Sequence, residues 1–266
     1  MRRYAGHTTA IVSVADDGGS SGRLRKAFGI PAPGDARKCL VSLADEDSLW
    51  GRAFEHRFES SELEGHALGN LIIAGLAEVT GDFVQALDQA GELLGTEGRV
   101  LPATVDPVVL KAEVGGASVE GQLNVHFSAG ITTVSIVPPD ATVPDAAVDA
   151  IATADQIVVG PGSLFTSVLA VVAVPGLRDA LARTAARKVY VCNLRPQVPE
   201  TEGFDVAAHL AALRSHGLEV DVVLCHPAAL PRGEVDVPCV ERPVARDDGL
   251  AHDPVRLAAA LVDLVG

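Results

Sequence analysis

The stretch TTAIVSVADDGGSSGRLR, residues 8–25, decides the fold. Thr8 to Val14 is a run of β-branched and apolar residues that stops at two aspartates and a glycine-rich segment. A strand that is apolar along its whole length is buried on both faces, as in a parallel sheet covered by helices. The stretch therefore predicts a buried strand that ends in a polar loop and belongs to an α/β protein.

The loop after this strand carries the sharpest candidate site. Asp16 and Asp17 can hold a hydrated divalent cation or accept a proton, so they are the catalytic candidates, with Asp17 the metal candidate. Glycines leave backbone amides bare, arginines offer guanidinium forks to phosphate, and open α/β sheets bind ligands at the carboxyl ends of their strands. An ordinary solvated turn is the alternative. The ligand-binding candidates are Gly18, Gly19, Ser20, Ser21, Arg23 and Arg25.

Outward from this stretch, the residue pattern predicts one elaborated domain over residues 1–266. Helical spacing dominates residues 34–94, which we expect to form a helical insertion. Apolar runs on either side of Gly115 and Gly116 predict a small antiparallel β-ribbon over residues 99–126. From Thr133 onward, strands and helices alternate as in β-α-β units. The predicted fold class is α/β, a Rossmann-like three-layer α/β/α arrangement with a mainly parallel sheet.

A second apolar strand runs into a glycine turn at residues 160–163. The helix that follows offers its N-terminus, where free amides and the helix dipole favour an anion. The Lys of a P-loop is absent, and Phe165 stands where a dinucleotide-binding fingerprint needs its third glycine. A plain strand-to-helix turn explains the pattern nearly as well. The candidates from this turn are Gly160, Gly162, Ser163 and Thr166.

Three shorter motifs add polar candidates. PGDARK at residues 33–38 begins a helix with two cations in its first turns, where the helix dipole disfavours them unless an anion is near. GHALGN at residues 65–70 places a histidine and an amide before an apolar helix, which suits a ligand contact or capping. The strand KVYVC, residues 188–192, leads into a polar loop in which Glu200 and Thr201 also line the expected cleft. The candidates are Gly34, Asp35, Arg37, His66, Gly69, Asn70, Asn193 and Gln197.

Composition and charge exclude several classes of function. The chain has 21 Lys and Arg against 35 Asp and Glu, a formal charge of −14, which repels nucleic acid at long range. Residues 156–177 carry no charge, but glycines and prolines break them, so we predict no membrane insertion. The four cysteines have no C-x-x-C spacing, which predicts reduced thiols in a cytoplasmic protein. The absence of H-E-x-x-H and G-x-S-x-G argues against a zinc enzyme and a serine hydrolase.

The ordered motifs resemble those of the gluconeogenesis factor family (YvcK-like), within the 2-phospho-L-lactate transferase-like (CofD-like) superfamily. The matching blocks are ADDGGSSGRLR, PAPGDARKCLVSLAD, LEGHALGNLIIAGL, IVVGPGSLFTSVL and KVYVCNLRPQVPETEGF. The resemblance implies a Rossmann-like fold, a cytoplasmic location, and a cleft for a nucleotide or nucleotide sugar, such as UDP-N-acetylglucosamine, or an NAD-type ligand. It also implies a role in cell shape and carbon-source adaptation. In the transferase branch, aspartates after the first loop assist a metal and the transferred phosphate, roles that would fall on Asp16 and Asp17.

The sequence departs from the family pattern in two places. Family members usually have a further strand and a G-G-G-T-G loop ahead of the DDGG block, and we expect both to be missing here. The glycine that usually precedes Glu-Thr in the last block is Pro199, so we expect that loop to have a different backbone shape.

Three functions stay open at this point. The leading one is a regulatory protein that binds a nucleotide sugar or dinucleotide, because three glycine-rich loops are expected to converge in an acidic chain. The second is a magnesium-dependent transferase of the 2-phospho-L-lactate transferase type, and the third is an interaction scaffold with a vestigial pocket. The residues fix no cofactor; magnesium, a UDP-sugar and an NAD-type ligand are the candidates. The expected partner is a small nucleotide ligand, and a homo-oligomer is left open.

Overall fold

The computed structural model describes residues 5–265, in which short strands alternate with helices. The helices are α1 Gly19–Phe28, α2 Gly34–Leu43, α3 Leu49–Glu55, α4 Leu68–Thr80, α5 Phe83–Leu94, α6 Gln122–His126, α7 Asp145–Ala152, α8 Leu169–Val172, α9 Pro175–Arg183, α10 Val206–Ser215 and α11 Pro254–Val262. A π-helical turn, Leu164–Val168, leads directly into α8. The strands are β1 Thr9–Val12, β2 Arg99–Pro102, β3 Val109–Val114, β4 Ala117–Glu120, β5 Ile131–Val137, β6 Gln156–Val159, β7 Arg187–Val191, β8 Val222–Cys225 and β9 Cys239–Glu241.

Parallel pairing dominates the strands, as expected. Strands β6, β7, β8 and β9 lie side by side in that order, all parallel, and β1 pairs in parallel with β2. These crossovers are long enough to carry helices, which parallel strands require. The α/β, Rossmann-like fold class is therefore confirmed, although the strands fall into separate groups rather than one continuous sheet.

Helices cover both faces of the four-stranded sheet because its strands are apolar on both sides. Val189 and Val191 of β7 pack with Leu261 of α11 on one face. Tyr190, between them in sequence, points to the other face and joins the main core with Leu210 of α10. Alternate side chains of a strand point in opposite directions, so a fully apolar strand needs a cover on each side. This is the three-layer arrangement that the sequence predicts.

The antiparallel ribbon differs from its prediction over residues 99–126. Its β3–β4 hairpin is confirmed, and Gly115 and Gly116 both have positive φ, as a two-residue turn of this kind requires. However, β2 pairs in parallel with β1, and β5 joins β3 in antiparallel pairing although we predicted it for the parallel sheet. Residues 122–126 form a helix rather than a strand. A short apolar run does not specify its partner, which tertiary packing selects.

The glycine-rich stretch after β1 is also more regular than predicted. The expected loop over residues 16–25 becomes helix α1 at Gly19, because the helix is stabilised by burial of Ser20, Ser21 and Leu24 despite the low helix propensity of glycine and serine. The stretch thus places a helix N-terminus directly beyond the carboxyl end of β1.

Among the described residues, no single helix is long and apolar enough to cross a bilayer. Helices Leu164–Val172 and Pro175–Arg183 pass that length and composition test only as a pair, bent by 76°.

Candidate functional site

The N-terminus of α1 lies at the carboxyl end of β1 and has free amides. Gly18 is the N-cap, and within residues 5–265 no side chain accepts a hydrogen bond from the first turn of this helix. The Gly18 amide donates to Oδ1 of Asp16 (2.9 Å), which fixes the turn that leads into the helix. The next amides, of Ser20 and Ser21, belong to the helix groups that ordinarily need an outside acceptor. This N-terminus can therefore accept an anion.

A buried network of side chains holds the first turn of α1 in place. Ser20 Oγ lies 3.1 Å from Nδ1 of His66, and Nδ2 of Asn70 donates to Ser20 Oγ (3.0 Å) and Ser21 Oγ (3.5 Å). Burial lowers the pKa of His66, and Arg23 and Arg57 lower it further, which favours the neutral ring. Oδ1 of Asn70 is buried and has no hydrogen-bond partner among the described residues.

Helix α2 packs so closely on this turn that its first residue must be glycine. A Cβ on Gly34 would lie 2.4 Å from Oδ2 of Asp16 and 2.4 Å from Oγ of Ser21. The predicted motif residues Asp35 and Arg37 then point elsewhere. Asp35 pairs with Lys38 (2.9 Å) at the surface.

Arg37 is buried against α3 and does not face the N-terminus of α1. Its Nη1 donates to Oε1 of Glu55 (2.8 Å) and to the carbonyl of Phe54 (3.3 Å), while its Nε has no partner among the described residues. Gly69 is a packing residue too, since a Cβ there would lie 2.6 Å from the Phe54 ring. Both candidates therefore help to anchor α3 beside the network.

The two arginines of α1 bind main-chain carbonyls. Nη2 of Arg23 donates to the carbonyl of Glu64 (2.6 Å), and Nη1 of Arg25 donates to the carbonyl of Val108. Nε of Arg23 also donates to the carbonyl of Gly19 (3.3 Å), the first residue of α1. The amide of Gly18 is bonded to Asp16, whereas the amides of Ser20 and Ser21 have no side-chain acceptor among the described residues.

Asp17 holds a neighbouring element. Its Oδ1 accepts from the Leu123 amide (3.0 Å) at the start of α6, and a Cβ on Gly121 would lie 2.4 Å from its Oδ2. Residues 5–265 contain no group of three His, Cys, Asp or Glu side chains arranged to hold a metal ion. Asp16 and Asp17 each give one oxygen to a backbone amide.

The second glycine turn is braced by the loop after β7. Nδ2 of Asn193 donates to the carbonyl of Gly162 (3.1 Å), and Nε2 of Gln197 donates to Oγ of Ser163 (3.0 Å). Asn193 also contacts Oε1 of Gln197 (3.3 Å). The turn that begins at Gly160 and the loop at Asn193 and Gln197 therefore meet at one rim, as their positions at adjacent strand ends predict.

The helix N-terminus after Ser163 already has an acceptor, the carboxylate of Glu200. Its Oε1 accepts from the amides of Phe165 (2.7 Å) and Thr166 (3.3 Å), and its Oε2 accepts from Oγ1 of Thr166 (3.1 Å). The Glu200 side chain is fully buried and also lies 3.3 Å from Nδ1 of His126. The predicted anion position at this turn is thus occupied by the chain's own carboxylate.

Helix α6 connects the two turns. Its Leu123 amide bonds Asp17, and Nε2 of its Gln122 donates to the carbonyl of Thr166 (2.9 Å). His126, at the other end of the helix, contacts Glu200. Sequence reasoning missed Gln122 and His126, because the segment reads as the last strand of the ribbon. The glycine at position 121 is the one signal that marks a break there.

These features define a Rossmann-like α/β protein that presents an anion-accepting helix N-terminus at the carboxyl edge of its parallel strands. The family model described as "2-phospho-L-lactate transferase CofD" matches residues 1–260. The chain belongs to this family and, within it, to the gluconeogenesis factors.

Relatives and solved structures agree with this assignment. The chain is 45% identical over 232 residues to the gluconeogenesis factor of Halalkalibacterium halodurans, covering 85% of this chain and 72% of that protein. It is 41% identical over 229 residues to the gluconeogenesis factor of Bacillus subtilis, covering 84% and 72%. A crystal structure of a upf0052 family member from Bacillus halodurans superposes with a TM-score of 0.92 at 36% identity, covering 98% of this chain and 92% of that one.

Proposed function

We propose that this chain is a regulatory protein of the gluconeogenesis factor type, which binds a nucleotide sugar or dinucleotide through its diphosphate. The observation that carries the proposal is the N-terminus of α1, where no described side chain caps the amides of Ser20 and Ser21. A diphosphate supplies the acceptors that these amides lack, and it gains from the helix dipole.

The negative charge of the chain supports a site that binds phosphate through backbone amides at close range. At a formal charge of −14, the long-range field repels a diphosphate, so backbone donors at close range must outweigh it. Asp16 and Asp17 lie beside the same turn and add to that repulsion. A magnesium ion carried in by the diphosphate would offset it, since magnesium in such sites keeps several waters and takes one or two carboxylates.

The role in cell shape and carbon-source adaptation, the cytoplasmic location and the absence of membrane insertion belong to the same proposal. They are favoured by the relatives named gluconeogenesis factor and by the acidic, glycine-turn site. A regulatory protein needs a ligand whose concentration reports on metabolism, and a nucleotide sugar fits that requirement.

Titration calorimetry of the protein with UDP-N-acetylglucosamine, UDP-glucose and NAD tests the proposal. We expect heat of binding with at least one of them, and a loss of at least tenfold in affinity for Gly18→Ser. The extended backbone of Gly18 (φ −71°, ψ 149°) suits a serine, whose Cβ would lie 3.1 Å from Oδ1 of Asp16, so that this carboxylate must shift by a few tenths of an ångström, and whose hydroxyl would cap α1 in place of the phosphate.

Ser48→Ala is the matched control, because it removes the N-cap of α3, which bonds the Gly51 amide, without touching α1. It should bind the ligand as the parent protein does. No heat with any of the three ligands, or equal affinity for Gly18→Ser, would contradict the proposal. Magnesium-dependent product formation that is lost in Asp17→Asn would instead identify the transferase, and intact cellular function in Asp16→Ala would favour the scaffold.

A further inference from the structure

Three of the four cysteines lie close together in strands β7, β8 and β9 or directly after them. Cys192 follows β7, Cys225 ends β8 and Cys239 begins β9. All are free thiols, and the sulfur atoms of Cys225 and Cys239 are 3.5 Å apart. That separation is a van der Waals contact, so the two sulfurs already touch.

The register of the strands says what must move for the two sulfurs to bond. Val223 of β8 is the partner of Cys239, so Cys225 lies two positions further along the same face. Diagonal neighbours are farther apart at Cα than residues of a usual disulfide, so β9 must shift along β8. Strand β9 has three residues, lies at the edge of the sheet and is partly exposed, which permits such a shift.

Cys225 and Cys239 differ in exposure, and this difference decides which thiol an oxidant reaches first. Cys239 is partly exposed at the sheet edge, whereas Cys225 is buried behind it. A small dissolved oxidant therefore meets Cys239 first, and Cys225 is the nearest thiol to the product. Cys192 is buried on the far side of Cys225.

We propose that Cys225 and Cys239 are a modification site at which hydrogen peroxide forms an intramolecular disulfide. The Cys239 thiolate attacks the peroxide, the O–O bond breaks, and Cys239 becomes a sulfenic acid while water leaves. Cys225 then attacks that sulfur, loses its proton and releases a second water as the S–S bond forms. Overall, two thiols and hydrogen peroxide give one disulfide and two waters.

The surroundings of the thiols make this reaction slow at neutral pH. Burial and the neighbouring Cys225 raise the pKa of Cys239 to about 11, Glu241 raises it as well, and Arg232 acts in the opposite direction. The hydrogen bond with Cys192 and burial raise the pKa of Cys225 too. Only a small fraction of Cys239 is thiolate at pH 7, so the rate of oxidation should rise as the pH rises.

The bond would close the segment between the two strands, residues 226–238. This segment is held against α10 by bonds from the amides of Val206 and Ala207 to the carbonyls of Pro231 and Arg232. Oxidation therefore ties the edge strand, this segment and the start of α10 into one unit. Cys192 is also hydrogen-bonded to Cys225, but it is buried, whereas Cys239 is partly exposed.

Peroxide treatment of the intact protein at pH 8.5, followed by thiol blocking and peptide mass spectrometry, tests the proposal. We expect a mass loss of about 2 Da and a peptide that joins Cys225 to Cys239, reversed by dithiothreitol. Cys39 is the internal control, because its pKa is also raised to about 11 and it is partly exposed, but no thiol lies beside it. It should gain oxygen and form no intramolecular bond.

Cys239→Ser, a change at the partly exposed edge, should abolish the mass loss and leave Cys225 reduced. Persistence of the mass loss in Cys239→Ser, a bond from Cys239 to Cys192, or oxygen addition at Cys239 with Cys225 still free to be alkylated would each overturn the proposal. Equal rates at pH 7 and pH 9 would also overturn it.

Discussion

Two helices of this protein begin just after a glycine turn, and they differ in what meets their first amides. At α1, no described side chain reaches the amides of Ser20 and Ser21. At the helix after Ser163, the buried carboxylate of Glu200 accepts from the amides of Phe165 and Thr166. The comparison teaches that a glycine turn before a helix does not define an anion site. The site also requires that the chain leave the amides free.

Removal of the Glu200 carboxylate should have the largest effect on the stability of the protein. Glu200→Ala leaves two amides and the Thr166 hydroxyl buried without an acceptor, which we expect to cost about 3 kcal/mol of unfolding free energy. Urea denaturation measures the change, and Glu202→Ala, an exposed neighbour in the same loop, is the control. In Glu200→Ala, added phosphate should restore more stability than it does in the parent protein. Equal unfolding free energies for Glu200→Ala and Glu202→Ala would contradict this prediction.

A smaller loss of unfolding free energy is expected at the N-terminus of α1, because uncharged side chains hold its first turn in place. Asn70→Ala removes the bonds to Ser20 and Ser21 and should cost about 2 kcal/mol. Asn124→Ala is the matched control, because the exposed side chain of Asn124 donates to the carbonyl of Glu120 and, within the described residues, to no other group. We expect Asn70→Ala also to weaken nucleotide binding, since the first turn of α1 loses its support. If it unfolded more easily than Glu200→Ala, the proposed ranking would be wrong.

The smallest effect concerns pH. The folded pKa of His66 lies below its unfolded value, so the unfolded chain takes up a proton first as the pH falls. Its contribution to stability is complete above pH 6.5 and decreases as the pH falls below that value. His209, His216 and His252 have lowered pKa values for the same reason, burial, and act in the same direction.

Thermal unfolding between pH 7.5 and pH 5.5 measures this effect. The melting temperature should decrease toward acid, and His66→Gln should reduce the decrease because its side chain does not titrate. His7→Gln, at an exposed histidine, should leave it unchanged. A decrease of the same size in His66→Gln would show that protonation of His66 does not disturb the first turn of α1.

The sequence predicts the class of fold because that information is local. Apolar strands, the Gly115-Gly116 turn and the alternation after Thr133 each follow from neighbouring residues. The meeting of Asn193 and Gln197 with Ser163 is predictable as well, since adjacent parallel strands end at one edge.

The contacts that decide the site are long-range and could not be read from the sequence. Glu200 lies 35 residues from the Phe165 amide that it caps. Arg23 and Arg25 look like phosphate ligands, but carbonyls far along the chain accept their hydrogen bonds. The pairing of β2 with β1 is likewise selected by the helices between them, because a strand of four residues does not specify its partner.

Helix α6 connects the N-terminus of α1 to the helix N-terminus that follows Ser163. It has five residues, of which only Val125 is buried, and polar bonds fasten it to Asp17 on one side and to Thr166 and Glu200 on the other. An element with so little buried surface opens at low energetic cost. Movement of Asp17 when a ligand settles on α1 would therefore reach Glu200 through α6. Ligand binding at the N-terminus of α1 would therefore affect the N-terminus that follows Ser163 through a short helix that opens easily.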